Sequence, residues 1–280
     1  MSEPESLAQV ARPTLRSLRF VSQLDPGVTP LVEFRDPYPR WAVVSTVAVD
    51  PLPAAPQRPG DESLVLFISP ALETEWAARA HAWLQGTPVH AAPAVRATLD
   101  EGWLLWRPGQ AVVVCPEDQL DAYLNLLARF FFYESEVQRL EEELAADWHH
   151  AEADLSLAHE VTAKDLGRQA QLGRMTERTL SRRMRHVRLE PRLDQLPAGL
   201  PPAQRRAARA LRRQTRIASR LEFLDGQLET YEYIYELANQ RMGEYTLFRR
   251  EYLVEWLIVI VLALEVVFVI ADMFLNYYMQ

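Results

Sequence analysis

The strongest constraint on this chain is an apolar run at residues 253–275, twenty-three positions without Pro or Gly, entered from Arg249 and Arg250. As a helix rising 1.5 Å per residue it would be about 34 Å long, enough to cover a ~30 Å hydrocarbon core with some tilt. Sixteen of its residues are Leu, Ile, Val or Phe. At roughly −0.3 to −0.6 kcal/mol each, they outweigh one mid-membrane acid at roughly +2.5 to +3.5 kcal/mol. A single C-terminal transmembrane helix is therefore expected, with nearly all of the protein working on one side of the membrane. Arg241, Arg249 and Arg250 precede the run and no Lys or Arg follows it. The positive-inside rule then puts the N-terminus and the bulk of the chain in the cytoplasm or an equivalent inner compartment.

Near the middle of the run stands Glu265, and an ionisable group at that depth points to function. As a neutral acid it can hydrogen-bond between neighbouring spans and hold an oligomer together. It can also pair with an Arg or line a watery path, the basis of an ion-conducting alternative, or be tolerated by bilayer thinning. Asp272 follows seven residues later on the same face, and Glu255 and Trp256 stand at the entry. Glu265, Asp272, Glu255 and Trp256 are the candidate intramembrane and oligomerisation residues.

Composition narrows the class. Cys115 is the only cysteine, so no disulfide framework or thiolate metal cluster is available and a reducing compartment is favoured; a buried strand position is expected for it. The first five residues are acidic and lack an apolar h-region, so no secretory signal is read there. The chain has 29 Arg and one Lys, Lys164. This skew reads as GC-rich codon usage and a bacterial source. The expected address is the bacterial inner membrane, or the mitochondrial inner membrane in a eukaryote.

Proline draws the internal boundaries. Fifteen of 19 Pro residues lie in 1–116, none in 117–190, four in 191–202 and none afterwards. Because Pro costs ~3 kcal/mol inside a helix, the two Pro-free tracts are the natural sites of long helices, joined by a turn at 191–202. Before 116 the β-rich runs 41–49, 64–68, 103–106 and 111–115 read as strands, with a hairpin turn at 107–110. Residues 73–85, closed by Gly86, read as a helix. The expected fold class is α+β, a small α+β domain over 38–116 followed by a long helical hairpin that continues into the span. Residues 1–37 are expected to be loosely ordered, with one amphipathic stretch near 10–20.

The second tract, 203–252, has the clearest period. Ile217, Leu221, Leu224, Leu228, Tyr231, Tyr235, Ala238, Met242 and Tyr245 follow 4-3 spacing, and Tyr252 and Trp256 keep the phase. That is a coiled-coil seam, and a single helix over 203–275 would be a stalk of about 110 Å. The first tract offers Leu120, Leu124, Leu127, Phe131, Val137, Leu140, Leu144, Trp148, Ala151 and Leu155 as a partner face, with a slip around 131–137. Gly167 and Gly173 are expected to divide that tract into two helices. The seam can close within one chain or between chains.

Catalytic signals are poor: no phosphate-binding glycine loop, no H-E-x-x-H and no G-x-S-x-G occur. His150 and Asp154 have i,i+4 spacing, but two ligands do not make a metal site, and a solvated helix face is expected there and at Glu141, Glu142 and Glu143. No enzyme activity and no cofactor are expected. Charge is more informative. Residues 168–220 hold 15 Arg against Glu177, Glu190 and Asp194, which is +12 in a chain of net −8. Arg182, Arg183, Arg185, Arg188, Arg205, Arg206, Arg209, Arg212, Arg213 and Arg216 are candidate contacts to a polyanion such as RNA or a ribosome. The alternative is that they pair with acidic surfaces of the same assembly.

Residues 231–241, Tyr-Glu-Tyr-Ile-Tyr-Glu-Leu-Ala-Asn-Gln-Arg, followed by the span, resemble the domain-of-unknown-function 155 family, which includes the "required for meiotic nuclear division" and Sad1-interacting-factor proteins. The family's closing E-W-x-I-x-x-L-I-x-x-E-V pattern is matched at Glu255, Trp256, Ile258, Glu265 and Val266, and its F-x-E helix at Phe132-Tyr133-Glu134. The likeness covers about 120–275 and fades before 116. It implies a membrane-anchored, non-enzymatic, oligomeric protein whose mitochondrial relatives support translation at the inner membrane, and it carries over no catalytic residues. Together these readings predict a membrane-anchored homo-oligomeric scaffold with an Arg-rich tip.

Overall fold

In the computed structural model, which describes residues 12–56, 60–86, 93–194 and 200–278, the central element is a seven-stranded sheet. Its strands are β1 (Thr14–Val21), β2 (Val32–Phe34), β3 (Arg40–Val47), β4 (Glu62–Ile68), β5 (Val95–Leu99), β6 (Gly102–Arg107) and β7 (Gln110–Val114), in the order β2-β3-β1-β4-β7-β6-β5. All pairings are antiparallel except β4 with β7, which the helix α1 (Glu73–Gln85) helps to bridge. Four long helical elements follow: α2 (Leu120–His159), α3 (Gln169–Asp194), α4 (Pro202–Gln214) and α5 (Ile217–Tyr278). The fold is α+β. The chain divides into two units, Met1–Ala145 with Arg182–Gln227, and Ala146–Ser181 with Leu228–Gln280.

In the first unit the sheet is covered on both faces. Leu15, Leu64, Leu66, Ile68, Leu105, Val112 and Val114 form one core with Ala80 and Leu84 of α1. On the other face the start of α2 packs aromatic rings against the strands: Phe132 stacks on Phe34 at 4.1 Å and meets Phe20 at 5.8 Å, and Trp106 meets Phe130 edge-on at 5.0 Å. Two-sided cover explains why β4, β6 and β7 are runs of apolar residues rather than alternating ones. It also accounts for the slip at 131–137: Phe130 to Val137 are all buried, so this stretch of α2 has no solvent face to impose a period.

Residues 14–21 and 32–34 are strands rather than loosely ordered chain. β1 lies inside the sheet, in register from Leu15 opposite Val47 to Val21 opposite Trp41, and from Thr14 opposite Phe67 to Arg19 opposite Glu62 on its other side. Its sequence, Thr-Leu-Arg-Ser-Leu-Arg-Phe-Val, alternates imperfectly because Ser17 is buried beside Leu18 and bonds Glu62. Distant strands complete its hydrogen bonding, and no local signal announces them. The domain therefore begins before residue 38.

Two turns depend on glycine. Pro108-Gly109 joins β6 to β7, with Gly109 at φ 77° as the second central residue of a Pro-Gly turn requires. Gly102 opens β6 at φ 148°, and a Cβ there would stand 1.9 Å from the Val114 carbonyl oxygen.

The helical tracts also differ from expectation. The first divides at residues 160–168, where a 3-10 turn spanning Ala163–Arg168 includes Gly167, whereas Gly173 lies inside α3. Asp165 Oδ2 accepts hydrogen bonds from the Thr162 backbone N–H at 2.9 Å and its hydroxyl at 2.6 Å, fixing the entry to that turn. α3 passes through Pro191 to Asp194, held by the buried Leu189 and Leu193. Of the expected Pro-rich turn, residues 195–199 lie outside the described residues, as do residues 1–11.

The single 203–275 helix is interrupted. α4 ends at Gln214, Arg216 takes the left-handed conformation at φ 53°, and α5 begins at Ile217. Different partners cause the break. α4 lies along the edge strand β5, where the Gln214 side chain exchanges hydrogen bonds with the Arg96 backbone at 2.7 and 3.3 Å, while the first turns of α5 are held by α2 and α3. Covering β5 in this way also shields its unpaired edge from other chains.

Candidate functional site

The arginine segment is woven into the first unit by acidic partners. On α3, Arg182 donates to Glu143 Oε2 at 3.1 Å and Arg185 reaches the same oxygen. Arg183 pairs with Asp225, Arg188 donates to the Pro37 carbonyl at 3.1 Å, and Arg192 bonds Asp36 at 2.7 Å. Arg206 of α4 pairs with Asp100 in the β5–β6 turn. Arg220, at the start of α5, bonds both Glu141 oxygens at 2.7 Å and Glu134 at 3.0 Å. Glu141 and Glu143 are thus ion-pair partners, not members of a solvated face.

Electrostatics follow from this burial. Loss of water pushes the Glu134 carboxyl above its ordinary value although Arg220 pulls it down. Burial opposes the Arg220 charge, but hydrogen bonds and charge from Glu141 and Glu134 outweigh it and raise that pKa. Nearby, Tyr38 donates to Glu136 at 2.5 Å and accepts from Arg139 at 2.6 Å, and burial with the Glu136 contact pushes the phenol up to about 12. His186 is buried with Nε2 3.1 Å from the Leu221 carbonyl oxygen.

Four of the five remaining candidates are exposed. Gln204, Ala207, Ala208 and Leu211 of α4 are buried, so Arg205, Arg209 and Arg213, four residues apart, point to solvent. Together with the exposed Arg216 they form no ion pair among the described residues. Arg212 is half-buried and lines a shallow cleft with Glu190, Glu222 and Asp225. Of the ten arginines singled out by charge counting, five are engaged within the first unit, four are exposed and Arg212 lies between, and the acidic residues that separate them carry no signal in a linear count.

In the second unit the 4-3 stripe closes within the chain. Leu228, Tyr231, Tyr235, Ala238 and Met242 are all buried, Tyr231 meets Trp148 at 5.7 Å, and Asn239 donates to Thr176 at 2.7 Å. Trp148 reaches the seam through that ring contact from a partly exposed position, whereas Leu155 is exposed. Asp154 is 1% exposed and paired with Arg168, so it is not on a solvated face, whereas His149 and His150 are exposed. Past Met242 the character of α5 changes: every residue from Leu247 to Ala271 is exposed, including Phe248 at 75% and Phe268 at 71%. Glu255, Trp256 and Glu265 are exposed with this segment, and Trp256 meets Tyr252 at 6.3 Å. The side chain of Asp272 lies outside the described residues. Among the described residues no group of three metal-ligating side chains occurs.

These features define an α+β protein with, among the described residues, one helix long and apolar enough to cross a membrane. No protein-family model matches the chain, and no curated protein matches it.

Proposed function

We propose that this chain is a non-enzymatic membrane-anchored scaffold whose C-terminal segment of α5 inserts in a bilayer and holds the α+β unit at the inner face. The observation that carries the reading is the continuous exposure of large apolar side chains from Leu247 to Ile270. An apolar surface of this extent is costly in water and matches the demand of a bilayer. Arg249 and Arg250 at its entry support an inner location for the rest of the chain. The full chain should stay with membranes after alkaline carbonate extraction, and replacing Ile260 and Val261 by Lys should release it. Release of the unmodified chain would sink the proposal.

The arginine segment serves this scaffold in two ways. Arg182, Arg183, Arg185, Arg188, Arg192 and Arg206 brace the first unit, the role anticipated by the pairing alternative. Arg205, Arg209, Arg213 and Arg216 form an exposed basic face for a polyanionic partner, with RNA or a ribosome as the class. Binding through that face should weaken steeply with salt and be lost on reversing Arg205, Arg209 and Arg213 to Glu with the fold unchanged. Glu265 is the contact proposed to hold spans together in a homo-oligomer. An unchanged mass of the detergent-solubilised complex on Glu265→Leu would remove that role.

A further inference from the structure

In the second unit a cleft of about 460 Å3 lies between the end of α2 and one face of α5, just before the exposed apolar segment begins. His159 and Glu160 contribute from the α2 side, and Arg241, Tyr245, Arg249 and Tyr252 from α5. Arg241 is held by Glu244 at 3.0 Å, so that pair cancels its own charge. Two exposed charged groups then remain without a hydrogen bond or ion pair of their side chains among the described residues: the Arg249 guanidinium and the Glu160 carboxylate. The cleft offers one cation and one anion, a match for a dipolar ligand.

Its position selects the kind. Arg249 precedes Leu253 by four residues, about 6 Å along a helix. A phosphate on Arg249 would therefore stand at headgroup level, with its acyl chains running down the exposed face of α5. Phe248, Tyr252 and Trp256 flank this level, exposed by 75%, 57% and 51%, in the arrangement of an interfacial aromatic belt. A free phosphate or soluble zwitterion would leave the apolar wall of the cleft in water.

We propose that this cleft is a subsite for an amine-bearing phospholipid headgroup, phosphatidylethanolamine, whose phosphate is held by Arg249 and whose primary ammonium donates to Glu160. The proposal rests on the membrane reading of α5. Bound lipid at this site ties the α2–α5 corner of the second unit to the bilayer surface.

The test uses the full chain reconstituted in nanodiscs of equimolar phosphatidylethanolamine, phosphatidylcholine and phosphatidylglycerol, with retained lipid counted by native mass spectrometry. Phosphatidylethanolamine should be retained over each of the others by roughly tenfold, the worth of one charge-assisted hydrogen bond. Glu160→Gln should erase its advantage over phosphatidylcholine, and Arg249→Gln should abolish retention. Arg250→Gln, which does not line the cleft, should change nothing, and circular dichroism checks that each variant is folded. Equal retention of the three lipids, preference for phosphatidylglycerol, or indifference to Arg249→Gln and Glu160→Gln in a chain that does enter the nanodiscs would overturn the subsite alone. Failure of the unmodified chain to enter nanodiscs would overturn the membrane reading and the subsite with it.

Discussion

Arg220 presents Nε and Nη2 in parallel to the two carboxylate oxygens of Glu141, each at 2.7 Å, while its remaining nitrogen reaches the buried Glu134 at 3.0 Å. This fork fastens the first turn of α5 to α2 within the first unit. The Phe132-Tyr133-Glu134 stretch of α2 serves two purposes: Phe132 fills the aromatic core and Glu134 receives the arginine.

Removing the arginine should therefore be costly. Arg220→Ala leaves Glu134 buried without its cation, and the full chain in detergent should lose about 3 kcal/mol of unfolding free energy, the lower end for breaking a buried pair. Glu141 is partly exposed, so Glu141→Gln should cost only about 1 kcal/mol. Urea unfolding curves compare the two.

The same pair predicts a pH dependence. Burial raises the Glu134 pKa in the folded state above its ordinary 4.5. The folded chain then binds more protons than the unfolded chain between those two values, so stability falls as pH rises through that window. Glu134→Gln lacks the titration. The thermal midpoint of the unmodified chain should fall relative to that of Glu134→Gln as pH increases from 4.5 upward, and a constant difference would refute the shift.

Gly102→Ala should disrupt the β5–β6 hairpin. The new Cβ would collide with backbone, the Val114 carbonyl, and the positive φ is itself unfavourable for any side chain. A loss of about 3 kcal/mol or more is expected, read as a lowered thermal midpoint.

Arg216→Gly should act in the opposite direction. Arg216 holds φ 53° between α4 and α5, a conformation that costs a residue with a Cβ roughly 1 kcal/mol. Relief of that cost should raise the unfolding midpoint, and a lowered one would mean that the Arg216 side chain contributes contacts worth more than the backbone strain.

Much of the architecture is legible because it is local. The helix α1, closed by Gly86, and the strands on either side of Pro108-Gly109 follow from propensity and turn chemistry over a few residues. The 4-3 stripe likewise marks a face of α5 that is buried through Met242. What escaped is non-local. β1 lacks clear alternation and finds its partners 20 or more residues on, β2 is only three residues long, and the break at Arg216 arises because α4 and α5 answer to different surfaces. The candidate site divides in the same way: a charge count finds the arginine excess but not Glu143, Asp225, Asp36 and Asp100, which neutralise part of it from far along the chain.

The apolar run, its flanking arginines and the placement of Pro belong to the linear chain, since hydrophobic length, charge asymmetry and helix breaking act on consecutive residues. Which arginines remain exposed, which acids are buried, and where a cleft opens beside Arg249 depend on contacts between residues far apart in sequence. Burial and pairing are properties of a neighbourhood, and folding assembles that neighbourhood from segments whose order along the chain does not reveal it.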